Sequence, residues 1–159
     1  MQNNQSLSGK VALVTGSGRN IGKATALHLA SLGAAVAVNA RTNESEAKSV
    51  EKEIIDNGGQ ALSVLGDVGS ENEVKSMFEK IESTLGNVTI LVNNAGLRED
   101  KFTSQMTTDE WRRVLSVNLD GPFYCSRAAI PGMIEADWGR IVNVSGLNSP
   151  FNILASVSL

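Results

Sequence analysis

An apolar run, Val11-Ala12-Leu13-Val14, leads straight into Thr15-Gly16-Ser17-Gly18-Arg19-Asn20-Ile21-Gly22, and a helical pattern begins near Ile21. A buried strand, a tight glycine turn and a helix start in immediate succession leave few folds open. Glycines let the backbone turn sharply and approach a ligand, and the first N–H groups and dipole of the helix favour an anion. Many strand-to-helix turns carry glycine for geometry alone, so in isolation both a plain turn and a phosphate cradle fit. A P-loop is excluded: Gly22-Lys23 is followed by Ala24 where a magnesium-binding hydroxyl belongs, and Ser17 stands where the first glycine should be. The pattern Gly-x-Gly-x-x-Gly fails as well, because Ile21 occupies the place of its last glycine. The variant Thr-Gly-x-x-x-Gly-x-Gly fits, with Asn20 at the middle glycine. Asn is the residue after glycine that best tolerates a left-handed backbone.

Beyond this turn the chain alternates strand and helix five times with short connections. Strands are expected over residues 10–15, 35–38, 61–66, 88–92 and 139–144. Between them lie a helix from Ile21 to Leu32, a second after the capping pattern Asn43-x-x-Glu46, and a third after Ser70-x-x-Glu73. A long fourth helix opens at Thr107-x-x-Glu110 and runs beyond Pro122. Such alternation predicts an α/β fold of Rossmann type, a doubly wound parallel sheet in the order 3-2-1-4-5. The outer side of the fifth strand is expected to be an apolar, unprotected edge. The 159 residues are read as one domain, with 42% apolar and 19% charged residues.

Ligands of such sheets bind beyond the carboxyl ends of the strands. Polar clusters follow each of those ends: residues 16–22, 39–41, 67–68, 93–96 and 145 onward. One shared ligand accounts for all of them more simply than separate structural reasons. An acid about 20 residues past the glycines would hold a free ribose 2′-hydroxyl, but this neighbourhood reads Asn39-Ala40-Arg41. Arg19 and Arg41 carry the charge and fork geometry to converge on a 2′-phosphate instead, which favours NADP(H) over NAD(H). Pro122 lacks an N–H, so the backbone carbonyl of Asn118 loses its helical partner and is free for a water or a ligand; a purely structural kink fits the spacing equally well. The segment from Leu97 to Met106 is either a solvated loop or a substrate rim. His28, the single histidine, is read as a surface or packing residue.

Composition closes other classes. A net charge of −3 gives no reason to expect nucleic acid or an anionic membrane as partner. The single cysteine, Cys125, permits no internal disulfide and suits a reducing compartment. The polar stretch Met1 to Gly9 lacks the regions of a signal peptide, and no apolar run spans a membrane. The expectation is a soluble, cytoplasmic protein without a metal site.

Thr15-Gly16-x-x-x-Asn20-Ile21-Gly22, Asp67-Val68, Asn93-Asn94-Ala95-Gly96, Asn118 and Gly139-Arg140-Ile141-Val142-Asn143-Val144-Ser145 together resemble the short-chain dehydrogenase/reductase family, its 3-oxoacyl-carrier-protein-reductase-like members above all. The resemblance covers residues 8 to about 150. It implies an NAD(P) cofactor, hydride transfer to or from a carbonyl or alcohol carbon, and a homo-oligomer, tetramer or dimer, in the full-length protein. It assigns Gly16, Ser17, Gly18, Arg19, Asn20, Ile21 and Gly22 to the pyrophosphate and ribose, and Arg41 to the adenosine-phosphate end. Asp67 and Val68 flank the adenine, and Asn94, Ala95 and Gly96 line the ribose side. Asn118 matches the family's active-site asparagine, whose carbonyl holds a proton-relay water.

The family's catalytic serine usually follows the fifth strand as the second of a Ser-Ser-like pair. Here the pair is Ser145-Gly146, so Ser145 serves only with a shift of one residue. A Tyr-x-x-x-Lys pair is expected about a dozen residues on, where Val157, Ser158 and Leu159 stand; Tyr124 is the single tyrosine. Three readings fit. The sequence is a fragment that stops before the family's C-terminal substrate region, or a divergent member that has replaced both groups. Alternatively it is a catalytically incomplete dinucleotide-binding module, a sensor or partner subunit.

Overall fold

The computed structural model describes residues 6–146. Its strands are β1 (Val11–Val14), β2 (Ala35–Ala40), β3 (Gln60–Leu65), β4 (Ile90–Asn93) and β5 (Arg140–Asn143). Its α-helices are α1 (Asn20–Ser31), α2 (Glu44–Asp56), α3 (Glu71–Leu85), α4 (Thr108–Leu115) and α5 (Gly121–Glu135). The sheet order is β3-β2-β1-β4-β5 and every pairing is parallel, as the alternation predicted. Val11 pairs with Ala35 and Ala12 with Ile90, so β1 lies at the centre with a neighbour on each side.

Side chains alternate across the pleat, and each face of the sheet has its own core. Val11, Leu13, Ala37, Val64 and Leu91 meet Val74, Met77, Phe78 and Ile81 of α3 and Cys125, Ala129 and Met133 of α5. On the other face Ala12, Val14, Val36, Val38, Ile90 and Val92 meet Ala26 of α1 and Ala47, Val50 and Ile54 of α2. A fully buried Leu, Ile or Val in these layers contributes roughly 1.5–3 kcal/mol. Burial leaves the Cys125 thiol far from ionising, its pKa pushed up to about 12. β5 is the outer strand of the sheet, and Ile141 and Val142 on it and Val144 just beyond it remain 38%, 51% and 45% exposed.

The helix starts depart from a uniform scheme. At Thr107 both halves of the capping box form: the Thr107 hydroxyl accepts from the Glu110 N–H, and the Glu110 carboxylate accepts from the Thr107 N–H. Asn43 caps α2 by accepting from the Glu46 N–H. Ser70 accepts from the Glu73 N–H at 3.5 Å, but the Glu73 carboxylate turns away to accept from the Asp67 N–H at 2.8 Å. That exchange ties α3 to the loop after β3.

The long fourth helix is divided. Between α4 and α5 the residues Ser116–Asp120 form a π turn, in which the Gly121 N–H reaches back to the Ser116 carbonyl. The physical reason has two parts. Pro122 cannot donate to the turn before it. Gly121 also lies against Val68, where a Cβ would meet Val68 Cγ2 at 2.9 Å. The wider turn thereby packs on the loop that follows β3.

Candidate functional site

The glycine turn is built by close approach. Gly16 has φ +62° and lies so near Ala95 that a Cβ would stand 3.0 Å from its Cα. At Gly22 a Cβ would collide with the Gly16 carbonyl oxygen and come within 2.6 Å of Asn94 Nδ2. The start of α1 is therefore pressed onto the loop itself. Asn20 takes φ +50°, the left-handed conformation its position in the motif predicted.

Buried polar side chains fix the turn from below. Thr15 Oγ1 accepts from the N–H groups of Asn94 and Ala95 at 2.9 and 3.0 Å. Asn94 Nδ2 donates to the carbonyls of Thr15 and Gly16 at 2.9 and 3.2 Å. Asn39, fully inside at the end of β2, accepts from the Gly16 N–H at 3.0 Å and donates to the Gly66 carbonyl at 3.1 Å. Ser17 Oγ donates to the Val14 carbonyl and accepts from the Asn39 N–H. The bonds of Ser17 Oγ and of Asn39 Nδ2 satisfy buried donors and acceptors that would otherwise cost about 1–3 kcal/mol each; those of Thr15 and Asn94 are half-buried.

These elements enclose a cleft of about 610 Å³ beyond the carboxyl ends of β1 to β4. It is lined by Gly16, Gly18, Arg19, Asn20, Ile21 and Gly22 from the turn, and by Arg41 after β2. Asp67 and Val68 line it after β3, and Asn94, Ala95 and Gly96 after β4. Twelve of the residues singled out in the sequence thus come together in one place. Ser17 is fully buried beneath the turn, with its hydroxyl committed to the backbone. A second cleft, of about 450 Å³, opens at the amino ends of the strands around Gly33, Gly58 and Gln60. It collects none of the motif residues.

Electrostatics within the cleft are uneven. The amino end of α1 has no side-chain cap and no acid in its first turn. α2, α3 and α4 each begin under a side-chain cap with two acids in the first turn. The partial positive charge at the start of α1 is thus left facing the cleft, with Arg19 beside it. Arg19 itself points toward Glu46, with 3.9 Å between guanidinium and carboxylate.

Asp67 is held by groups that spacing did not reveal. Its carboxylate accepts from Arg113 Nη2 at 2.6 Å and from the Gly69 N–H at 2.9 Å. Burial pushes its pKa up, but the Arg113 hydrogen bond, the Gly69 N–H and the charges of Arg113 and Arg41 outweigh this, and the net shift is downward. Asp67 is therefore a fixed anion whose charge Arg113 balances. Arg113 and Val117 also line the cleft, with no signal in the sequence to place them there; Glu46, expected only as a helix cap, and Leu97, at the start of the loop after β4, line it too.

Asn118 sits behind the cleft wall. Its Oδ1 accepts from the Leu97 N–H and its Nδ2 donates to the Leu97 carbonyl, both at 2.8 Å. The side chain grips one residue by both of its backbone polar groups and fixes the loop after Gly96. In that loop Arg98 pairs with Asp100, and Lys101 with Glu110 of α4. Ser145 follows β5, exposed, outside the cleft lining, and Gly146 beside it has open space around it. Residues 157–159, in the expected Tyr-x-x-x-Lys window, lie outside the described residues. His28 is exposed on α1. Among the described residues no group of side chains is arranged to hold a metal, and no helix is long and apolar enough to cross a membrane.

Comparison with known proteins gives a consistent result. The family model described as short chain dehydrogenase matches residues 10–157. The 3-oxoacyl-acyl-carrier-protein reductase of Pseudomonas aeruginosa is 41% identical over 142 residues, and that of Aquifex aeolicus 42% identical over 142 residues. Each match covers 89% of this chain and 57% of the relative, so the chain spans a little over half the length of these curated proteins. Among solved structures, a metagenomic short-chain oxidoreductase in complex with NADP superposes with TM-score 0.85 at 39% identity, over 90% of this chain and 65% of that one. A gluconate 5-dehydrogenase from Burkholderia cenocepacia, in complex with NADP and tartrate, gives TM-score 0.82 at 35% identity, over 93% and 59%.

Proposed function

The chain belongs to the short-chain dehydrogenase/reductase family, and on that premise we propose that it binds NADP(H) across the carboxyl ends of β1 to β4. The protein serves hydride transfer between that nucleotide and a carbonyl or alcohol carbon, with 3-oxoacyl thioesters as the nearest substrate class. The observation that carries the reading is the amino end of α1. It is uncapped and free of acid, it is flanked by Arg19, and it opens into the cleft that also holds Arg41, Asp67 and Asn94.

The residues present fit such a dinucleotide. The Gly16–Gly22 turn is packed so closely that a Cβ at Gly16 would press on Ala95 and one at Gly22 on the Gly16 carbonyl, which brings the start of α1 to the cleft, where its backbone N–H groups can approach a pyrophosphate. Asp67 and Val68 border the adenine, and Ile21, 66% exposed at the cleft, offers an apolar contact. Arg41 and Arg19 meet a 2′-phosphate with two cations. Asn94, Ala95 and Gly96 bound the ribose side. Ser17 acts from beneath the turn, holding β2 against it, and not by side-chain contact. When bound, the nicotinamide supplies the hydride.

Asn118 acts by holding Leu97, and its backbone carbonyl is the group assigned to a relay water. Ser145 is assigned to the substrate oxygen. Its exposed position, with Gly146 after it, keeps a second reading in view: a dinucleotide-binding module without turnover. Following NADPH absorbance with β-ketoacyl thioesters separates the two, since only the oxidoreductase consumes the nucleotide. A homo-oligomer in a reducing, cytoplasmic setting completes the proposal and agrees with the single buried cysteine.

The cofactor assignment is tested by fluorescence titration with NADPH and NADH. NADPH is expected to bind about tenfold or more tightly, because two guanidinium groups meet the added phosphate. Arg41→Asp narrows or reverses that ratio. Equal affinities for the two nucleotides in the wild-type protein would contradict the assignment.

A further inference from the structure

The cleft contains an acid that the proposed nucleotide does not call for. Glu46, in the first turn of α2, lines the same end as Arg19, Arg41 and Thr42. Its carboxylate stands 3.9 Å from the Arg19 guanidinium, and its side chain is 35% exposed against 75% for Arg19. The glycine turn is pressed onto it: a Cβ at Gly18 would lie 3.1 Å from Glu46 Cβ and 3.4 Å from Oε2. Asp67, the other acid of the cleft lining, is already balanced by Arg113. Glu46 is the acid left to act on whatever occupies the Arg19–Arg41 end.

The start of α2 does not require that carboxylate. Asn43 caps the helix through the Glu46 backbone N–H, and Glu44 already places an acid in the same first turn. Glu44 pairs with Lys48 on the helix surface and does not line the cleft. What distinguishes Glu46 is its place over the glycine turn.

We infer that Glu46 is a specificity-determining residue of this cleft, one that restrains its preference for a 2′-phosphate. The inference rests on the reading of the cleft as an NADP(H) site. Before the nucleotide enters, Glu46 is the carboxylate beside Arg19, 3.9 Å from its guanidinium. A 2′-phosphate must take the guanidinium from it and then stand near its negative charge. A free 2′-hydroxyl meets neither cost, and Glu46 can accept a hydrogen bond from it. Arg19 and Arg41 attract the phosphate while Glu46 limits how strongly, so the preference for NADPH over NADH is narrower than two unopposed arginines would give.

The test is the affinity of wild-type protein and of Glu46→Gln for NADPH, NADH and 2′,5′-ADP, measured by titration calorimetry. Glutamine keeps the length and shape of the side chain and removes its charge. NADPH and 2′,5′-ADP should each bind about three- to tenfold more tightly to the variant, the range set by one partly solvated charge near a phosphate. NADH should change less than twofold or weaken, and the melting temperature should be unaltered because the cap uses the backbone. Raising the salt concentration should shrink the gain. Unchanged affinity of Glu46→Gln for both phosphorylated ligands, with the wild type binding NADPH, overturns this inference alone. If the wild type binds no NADPH at all, the reading of the cleft fails and the inference falls with it.

Discussion

At the scale of single residues, the site depends on polar side chains that hold other groups in place. Arg113 is the clearest case. It reaches 46 residues back along the chain to neutralise Asp67, in the cleft wall after β3. Arg113→Met leaves that carboxylate, 19% exposed, without its cation. Discounted for the solvent that reaches the guanidinium, the loss is about 1 kcal/mol of stability, measured by denaturant unfolding. NADPH affinity should fall with it, and Arg113→Lys should recover part of both. A variant as stable and as tight-binding as the wild type would show that Asp67 is held by the Gly69 N–H alone. The glycine turn and Asn93-Asn94-Ala95-Gly96 could be read from sequence because their function is local: a turn and a strand end need particular backbone shapes. Arg113, Asn39 and Glu46 could not. Their partners lie across the fold, and nothing in the spacing of an arginine on a helix tells which carboxylate it will meet.

At the scale of elements, helix starts decide how the loops around the cleft are held. Glu110 closes the capping box of α4 and pairs with Lys101 of the loop after β4. The Lys101 hydrogen bond, followed by those of the Thr107 N–H and hydroxyl, holds its carboxyl down to about 2 from an ordinary 4.5. A folded pKa below the unfolded one adds stability that is complete above the unfolded value and is lost as the pH falls through the folded one. Glu110→Gln should therefore melt a few degrees lower at neutral pH at most, since the group is solvent-exposed. The gap between variant and wild type should close between about pH 4.5 and about 2. A gap that stays constant over that range would mean the carboxylate contributes nothing through its charge. Element order and type were legible because apolar runs and capping residues punctuate the chain strongly. The division of the fourth helix was half legible. Pro122 announces a break, but the π register depends on Gly121 meeting Val68, a contact between distant loops.

At the scale of the whole molecule, the parallel sheet sets the direction of function. All five strands run the same way, and the turns after β1 to β4 deliver their side chains to one end. The order 3-2-1-4-5 followed from alternation and short connections, which leave few other windings. The position of Ser145 relative to the cleft did not follow, because it depends on how β5 ends at the exposed side of the sheet. The central claim is that a dinucleotide lies across the carboxyl ends of β1 to β4. Amide hydrogen exchange with and without saturating NADPH tests it most directly, because it reports where on the chain the ligand acts. Protection should concentrate in residues 16–22, 41–46, 67–69 and 94–97, with the amino-end cleft around Gly33 and Gly58–Gln60 unchanged. Protection at that amino-end cleft, or none at residues 16–22, would contradict the account.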